Sequence, residues 1–276
     1  MLTLGWFSTA RGQTSPRLLR VVQEAIQRGD FQARIEVIFC NREPGEDPNT
    51  DGFLELVKSY GIPLVCYSYT RFRRERDLPP ARAGEALPPW RTEYDAEVIR
   101  QLEPYPFDLG VLAGYMIIAS PIMCQRYDLL NLHPALPGGP KGTWQQVIWQ
   151  LLEERASHAG VMMHLATPEV DAGPVVTYCT YPIRGPAFDE LWREIEGRSI
   201  TEVEAAQGEG NRLFQEVRRH GVARELPLVV ATVGAFARGK VRIVNKQVLD
   251  EGGRIIPGYN LTDEIERAVA AAPGRA

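Results

Sequence analysis

Asn131 and His133 stand two residues apart at the end of an apolar run, in Leu130-Asn131-Leu132-His133-Pro134. Residues i and i+2 of an extended chain share a face, so an amide and an imidazole project side by side. Pro134 has no N–H for a further ladder bond and helps to end the strand. Downstream, Val170-Asp171-Ala172-Gly173-Pro174 sets a carboxylate at a turn just before a second apolar run, residues 175–178. An imidazole titrates near neutrality and a carboxylate can orient it, so the three groups together are equipped for proton transfer. The same residue types are also common strand-end and turn formers, and spacing alone leaves both readings open.

The elements that must position these groups follow a strand–helix alternation. Residues 2–7 read as a buried strand and 8–15 as a polar loop. A helix follows, with Ser15 as its cap, Pro16 in its first turn and Leu18, Leu19, Val22, Ala25 and Ile26 on its apolar face. A strand–loop–helix junction of this kind holds an anion on free backbone N–H groups or is an ordinary connection. Residues 35–40 and 63–67 read as strands, and 52–60 and 94–102 as helices. Residues 109–113 form a central strand ending at Gly114, where ligands of open α/β sheets collect. Residues 70–91, with Arg71-Phe72-Arg73-Arg74-Glu75-Arg76 and four later prolines, read as a solvated charged loop or a basic lip.

Beyond His133, residues 144–152 read as a helix and 159–165 as a strand holding His164, a structural histidine or at most a supporting group behind the site. Residues 175–181 read as an antiparallel edge strand, and 188–195 and 202–220 as helices. The alternation predicts an α/β fold: a Rossmann-like, open, mostly parallel sheet with helices on both faces. Residues 1–220 make the main domain, and 221–276 a small α/β extension packed on it. In that extension 227–236 gives a mixed helix and strand signal, 240–244 and 247–249 read as strands, and 261–270 as a helix capped by Thr262.

The 276 residues are 44% hydrophobic, enough for a sizeable core. The net charge of -4 argues against a duplex-binding protein. No apolar run approaches the ~20 residues of a membrane span, and the first residues lack a basic leader pattern. Cys40, Cys66, Cys124 and Cys179 lie far apart, as suits free thiols in a reducing cytoplasm. His133, His158, His164 and His220 do not have helical zinc-site spacing, so no metal is expected.

Three segments resemble the folate-dependent formyltransferase family, in the family's order and with similar spacing. They are Asp108-Leu109-Gly110-Val111-Leu112-Ala113-Gly114-Tyr115-Met116, Leu130-Asn131-Leu132-His133-Pro134-Ala135-Leu136-Pro137, and Val170-Asp171-Ala172-Gly173-Pro174-Val175-Val176. Within that family the chain most resembles the glycinamide ribonucleotide branch. The resemblance implies 10-formyltetrahydrofolate as cosubstrate, with its pterin ring lined by Gly114, Tyr115, Met116, Ile117 and Ile118 and wrapped by Thr167, Glu169 and Val170. It implies that Arg11, Gly12, Gln13 and Thr14 hold the acceptor's phosphate, and that Glu209 meets its amine end. Two departures stand out: the phosphate loop is longer and carries Arg11, and Ile117 replaces an arginine common in that branch.

In formyl transfer Asn131 donates to the developing oxyanion, His133 moves the proton, and Asp171 orients His133 and offsets its charge. The acceptor is expected to be glycinamide ribonucleotide, with another amine (an amino sugar or a methionyl-tRNA type), water, or a silent folate-binding role as alternatives. The basic lip would then face a phosphate or the folate glutamate tail. The extension caps the active site or supports a homodimer.

Overall fold

Short apolar runs, separated by polar turns and amphipathic helices, assemble here into one open sheet covered on each face. The computed structural model describes residues 1–81, 86–169 and 171–272. The first half comprises β1 (Leu2–Ser8), α1 (Thr14–Arg28), β2 (Ala33–Cys40), α2 (Pro48–Ser59), β3 (Leu64–Cys66), α3 (Tyr69–Glu75) and α4 (Trp90–Leu102). The centre holds β4 (Leu109–Leu112), α5 (Pro121–Arg126), β5 (Leu129–His133), α6 (Trp144–Glu153), β6 (His158–Leu165) and β7 (Val175–Pro182). The remainder holds α7 (Asp189–Glu194), α8 (Ile200–Gln207), α9 (Arg212–Ala237), β8 (Val241–Val244), β9 (Gln247–Asp250), β10 (Tyr259–Asn260) and α10 (Thr262–Ala271).

The main sheet runs β10-β7-β6-β5-β4-β1-β2-β3. Strands β3, β2, β1, β4 and β5 are parallel, whereas β6 is antiparallel to both β5 and β7. The chain builds outward from β1 through β2 to β3, then returns to add β4 and β5 on the other side. The reversal leaves a crevice at the carboxyl ends of β1 and β4. There Thr9 N–H donates to the Gly114 carbonyl at 3.1 Å, and Met116 N–H donates to Thr9 Oγ1 at 2.8 Å.

Strand alternation feeds two cores. Trp6, Ile38 and Cys40 face one, with Leu18, Val22, Val147 and Phe214. Phe7, Val37 and Phe39 face the other, with Tyr94, Val98 and Leu129. All four cysteines are free thiols. Burial pushes Cys40 and Cys179 up to about 12, and Cys66 and Cys124 to about 11.

Several expectations are corrected. Ser15 does not cap α1: the helix starts at Thr14 and has no side-chain cap, and the Ser15 hydroxyl donates instead to the Ala113 carbonyl. α2 begins at Pro48 because Asp47 accepts from Asn49 N–H and Pro occupies the first turn. The charged stretch after Tyr67 contains α3, whose start is capped by Ser68 and whose Phe72 is buried. β7 is antiparallel to β6 as expected, but it is not an edge, because β10 pairs outside it. The expected helix 202–220 is two: α8 ends at Gln207, and α9 runs from Arg212 through residue 220 to Ala237. Pro227 lies inside α9 and offers the Ala223 carbonyl no N–H, at a cost of about 3 kcal/mol in an isolated helix. Burial of Leu228, Val229, Thr232 and Val233 against the sheet offsets it. Thr262 does not cap α10; its hydroxyl accepts from Thr180 N–H.

The segment after α9 is tied back to the main sheet. Asn245 and Lys246, both with positive φ, turn the β8–β9 hairpin. Lys246 Nζ then donates to Asp128 Oδ1 at 2.6 Å and to the Tyr127 carbonyl at 2.9 Å, at the start of β5. Among the described residues no helix is long and apolar enough to cross a membrane.

Candidate active site

Antiparallel pairing of β5 with β6 sets Asn131 opposite His164 and His133 opposite Met162. Side chains at paired positions share a face, so Asn131, His133 and His164 gather at one rim of the sheet. Asp171 reaches them from the loop between β6 and β7, with φ at 53°, the left-handed region that few non-glycine residues adopt. Two residues on, the loop passes so close to β6 that a Cβ on Gly173 would lie 1.7 Å from the Leu165 carbonyl oxygen. Gly173→Ala is therefore expected to push the loop off β6, cost about 1–3 kcal/mol and displace Asp171. Thermal unfolding and turnover measured on the same preparation check this.

One carboxylate lies between two imidazoles. Asp171 Oδ2 is 3.8 Å from His133 Nδ1, and Oδ1 is 3.4 Å from His164 Nε2. The two rings are perpendicular, with centroids 6.0 Å apart. His164 Nδ1 faces the Leu165 carbonyl at 3.2 Å, so that nitrogen carries a proton. His164 Nε2 also lies 3.2 Å from Asn131 Nδ2. A neutral ring accepts from the amide there, and an imidazolium donates to Asp171. Either way one amide N–H of Asn131 is left to donate elsewhere.

The hydrogen bond from His164 is the largest influence on Asp171 and holds its carboxyl below the usual range. Partial burial opposes it, while the charges of His133 and His164 and the Gly142 N–H act with it. The ordinary carboxyl titrates at 3.8. The stabilisation is therefore full above about that pH and is lost as the pH falls through the lower folded-state value. Asp171→Asn should be less stable than the parent at pH 7, and the gap should close towards pH 3. Denaturant titrations across that range measure it.

His133 is only 3% exposed. Its Nε2 meets the Pro140 carbonyl at 3.0 Å and therefore carries a proton. Gly138 and Gly142, both at positive φ, shape the covering loop, and Lys141 reaches Glu169 across the rim at 3.4 Å.

The other expected residues divide. Arg11, Gly12, Gln13 and Thr14 are exposed at the start of α1, where Gln13 Nε2 donates to Asn49 Oδ1 at 3.3 Å, beside the start of α2. Gly114 has φ at 69°, and a Cβ there would lie 2.5 Å from Ser15 Oγ. Tyr115 is buried among Phe7 and Phe39. Met116 is 73% exposed, and Ile117 and Ile118 are half-buried. Thr167 donates to the Glu169 carbonyl, and Val170 lies outside the described residues. Glu209, in a short turn after α8, accepts from Gln145 in the first turn of α6.

His164, expected to be structural or at most a supporting group behind the site, bridges Asn131 and Asp171, which its strand register decides. Sequence reading passes over one feature, the pair Arg91 and Asp95. Arg91 and Asp95, fully buried and paired at 3.0 Å, brace the 115–120 segment. Arg91 Nη2 donates to the Ile118 carbonyl at 2.7 Å, and Ser120 N–H donates to Asp95 Oδ2 at 2.8 Å.

Comparison with known proteins bears on this geometry. A family model described as formyl transferase matches residues 56–187, which include Asn131, His133 and Asp171. Phosphoribosylglycinamide formyltransferase of Escherichia coli is 35% identical over 177 residues, covering 63% of this chain and 70% of that protein. The chain belongs to the formyl transferase family. The fold agrees. The structure of phosphoribosylglycinamide formyltransferase from Coxiella burnetii, 20% identical, superposes with a TM-score of 0.62 over 94% of this chain and 98% of that one. A formyltetrahydrofolate deformylase from Pseudomonas syringae, 17% identical, gives 0.58 over 90% and 65%. Proteins named for transfer and for deformylation thus share this fold.

Proposed function

We propose that this formyltransferase moves a formyl group from 10-formyltetrahydrofolate to the primary amine of glycinamide ribonucleotide. The observation that carries the reading is the gathering of Asn131, His133, His164 and Asp171 at one rim of the sheet, beside the crevice between β1 and β4. When an amine attacks the formyl carbon, the carbonyl oxygen gains negative charge. The Asn131 amide donates to that oxygen, an interaction worth about 3–4 kcal/mol in the transition state. The intermediate collapses by breaking the bond from the formyl carbon to the folate nitrogen. His133 carries the proton that leaves the amine to that nitrogen, so that tetrahydrofolate departs neutral at that atom, and Asp171 orients the ring. His164 positions both Asp171 and Asn131.

The folate fits the 114–120 segment. That stretch is fixed by hydrogen bonds with Thr9, Arg91 and Asp95, and so presents a preformed wall to a flat ring. It also has hydrogen-bonding capacity to spare: Arg91 Nη1 and the Tyr115 hydroxyl are buried without a partner among the described residues. Residues 11–14 face the acceptor's phosphate at the start of α1. The reading includes a cytoplasmic location and a catalytic domain of residues 1–220 on which the extension packs.

Release of tetrahydrofolate from 10-formyltetrahydrofolate, with and without glycinamide ribonucleotide, tests the proposal. Transfer requires strong acceleration by the amine. Release at the same rate without it identifies a hydrolase, and tight folate binding without release identifies a silent binder.

A further inference from the structure

Residues 11–14 are exposed, but the residue that launches them is not. Ala10 is fully buried and has φ at 52°, the left-handed region that a residue with a Cβ leaves unless it is held. Two side-chain hydroxyls hold it. Ala10 N–H donates to Ser8 Oγ at 3.1 Å, and Thr50 Oγ1 donates to the Ala10 carbonyl at 3.2 Å. Ser8 ends β1, whereas Thr50 comes from the first turn of α2. Both side chains are closed to solvent.

That end of α2 is itself fixed. Asp47 accepts from Asn49 N–H at 2.8 Å and pairs with Arg42 at 3.1 Å. Asn49 Oδ1 in turn accepts from Gln13 Nε2 at 3.3 Å. The loop therefore meets one turn of α2 twice, through Ala10 just before Arg11 and through Gln13 just after Gly12. The other side of the junction is held separately. Thr9 N–H donates to the Gly114 carbonyl and its hydroxyl accepts from Met116 N–H, while the Ser15 hydroxyl donates to the Ala113 carbonyl. Those bonds fix the 113–116 segment without passing through Ala10. Thr9 and Ser15 thus serve the donor's wall, and Thr50 serves the loop at the start of α1.

We propose that Thr50 is a positioning residue for the acceptor, setting the 11–13 loop through the Ala10 carbonyl while touching no substrate itself. The proposal deepens the function given above and rests on its placing of the acceptor's phosphate at residues 11–14. A loop held in its binding shape before the phosphate arrives spares the cost of ordering it. Without the Thr50 hydroxyl, Ala10 relaxes towards an ordinary φ and turns Arg11, Gly12 and Gln13 away from the helix start.

The test is steady-state kinetics of the full chain with 10-formyltetrahydrofolate saturating and glycinamide ribonucleotide varied. Tm and the Kd for tetrahydrofolate are measured on the same preparations. Thr50→Val keeps the size of the side chain and removes the hydroxyl. It should raise KM for the acceptor by about tenfold, the upper worth of one hydrogen bond, with kcat within about twofold of the parent and the tetrahydrofolate Kd unchanged. Thr50→Ala should give the same shift, so a folding defect in one variant leaves the other to decide. Thr50→Ser keeps the hydroxyl and loses a methyl, and should be parent-like in KM though lower in Tm. A residue that only fills space gives the reverse order. Parent-like KM in folded Thr50→Val or Thr50→Ala overturns the proposal. So does Thr50→Ser as impaired as Thr50→Val, or a tetrahydrofolate Kd that rises in step with KM. A parent that glycinamide ribonucleotide does not accelerate overturns it together with the acceptor reading, which the amine-dependence assay shows on its own.

Discussion

His133→Ala is expected to slow formyl transfer by about 100- to 10,000-fold, the range for removal of a positioned acid–base group. The ring is buried, with Nε2 against the Pro140 carbonyl and Nδ1 towards Asp171. It is thus held in one orientation before any substrate arrives, and a replacement without a titrating nitrogen cannot take its role. Truncation also leaves a cavity, so the variant needs a stability measurement beside the kinetic one. His133→Gln, whose amide nitrogen reaches the Nε2 position and retains a donor for Pro140, should be nearly as slow as alanine and closer to the parent in Tm. A parent-like kcat in a folded His133→Ala protein removes the proton-transfer role. Loss in KM alone makes the residue a binding group.

Arg91→Met is expected to destabilise the fold by about 3–5 kcal/mol, because it strands a carboxylate in the interior. Asp95 is 0% exposed and Arg91 1%. Burial already pushes the Asp95 carboxyl above its usual range, against the pull of Arg91 and the hydrogen bonds from Ser120. A group raised in this way favours the fold at low pH and loses that contribution as the pH rises through its folded value. The deficit of Arg91→Met should therefore be greatest at neutral pH and smaller towards pH 5. Tm should fall by about 6–20 °C at pH 7. Adding Asp95→Asn, which removes the charge and keeps an acceptor for Ser120 N–H, should restore much of the loss. Because this pair braces residues 118–120, folate affinity should fall in Arg91→Met and recover partly in the double variant.

Local patterns were legible in the sequence where local geometry decides. The i, i+2 placement of Asn131 and His133 and the carboxylate before Gly173-Pro174 needed only strand and turn rules. The strand–helix alternation likewise led to the mostly parallel sheet. What escaped notice depends on distant partners. His164 becomes a bridge only because β6 pairs antiparallel with β5 in one register. α9 shows no clean apolar stripe because it is buried on more than one side, and Pro227 interrupts its signal. α3 buries little beyond Phe72, so its arginines read as a loop. β10, two residues long, carries no strand signal of its own, and so β7 reads as an edge in the sequence.

The most direct test of the central claim follows the formyl carbon itself. With 10-formyltetrahydrofolate labelled at that carbon and glycinamide ribonucleotide present, the label should appear on the acceptor's nitrogen, mole for mole with tetrahydrofolate released. Asn131→Ala should slow its appearance by about 100- to 1,000-fold. Label collecting as free formate at a rate indifferent to the acceptor, or arriving unslowed in Asn131→Ala, would contradict the assignment of this rim as a formyl-transfer centre.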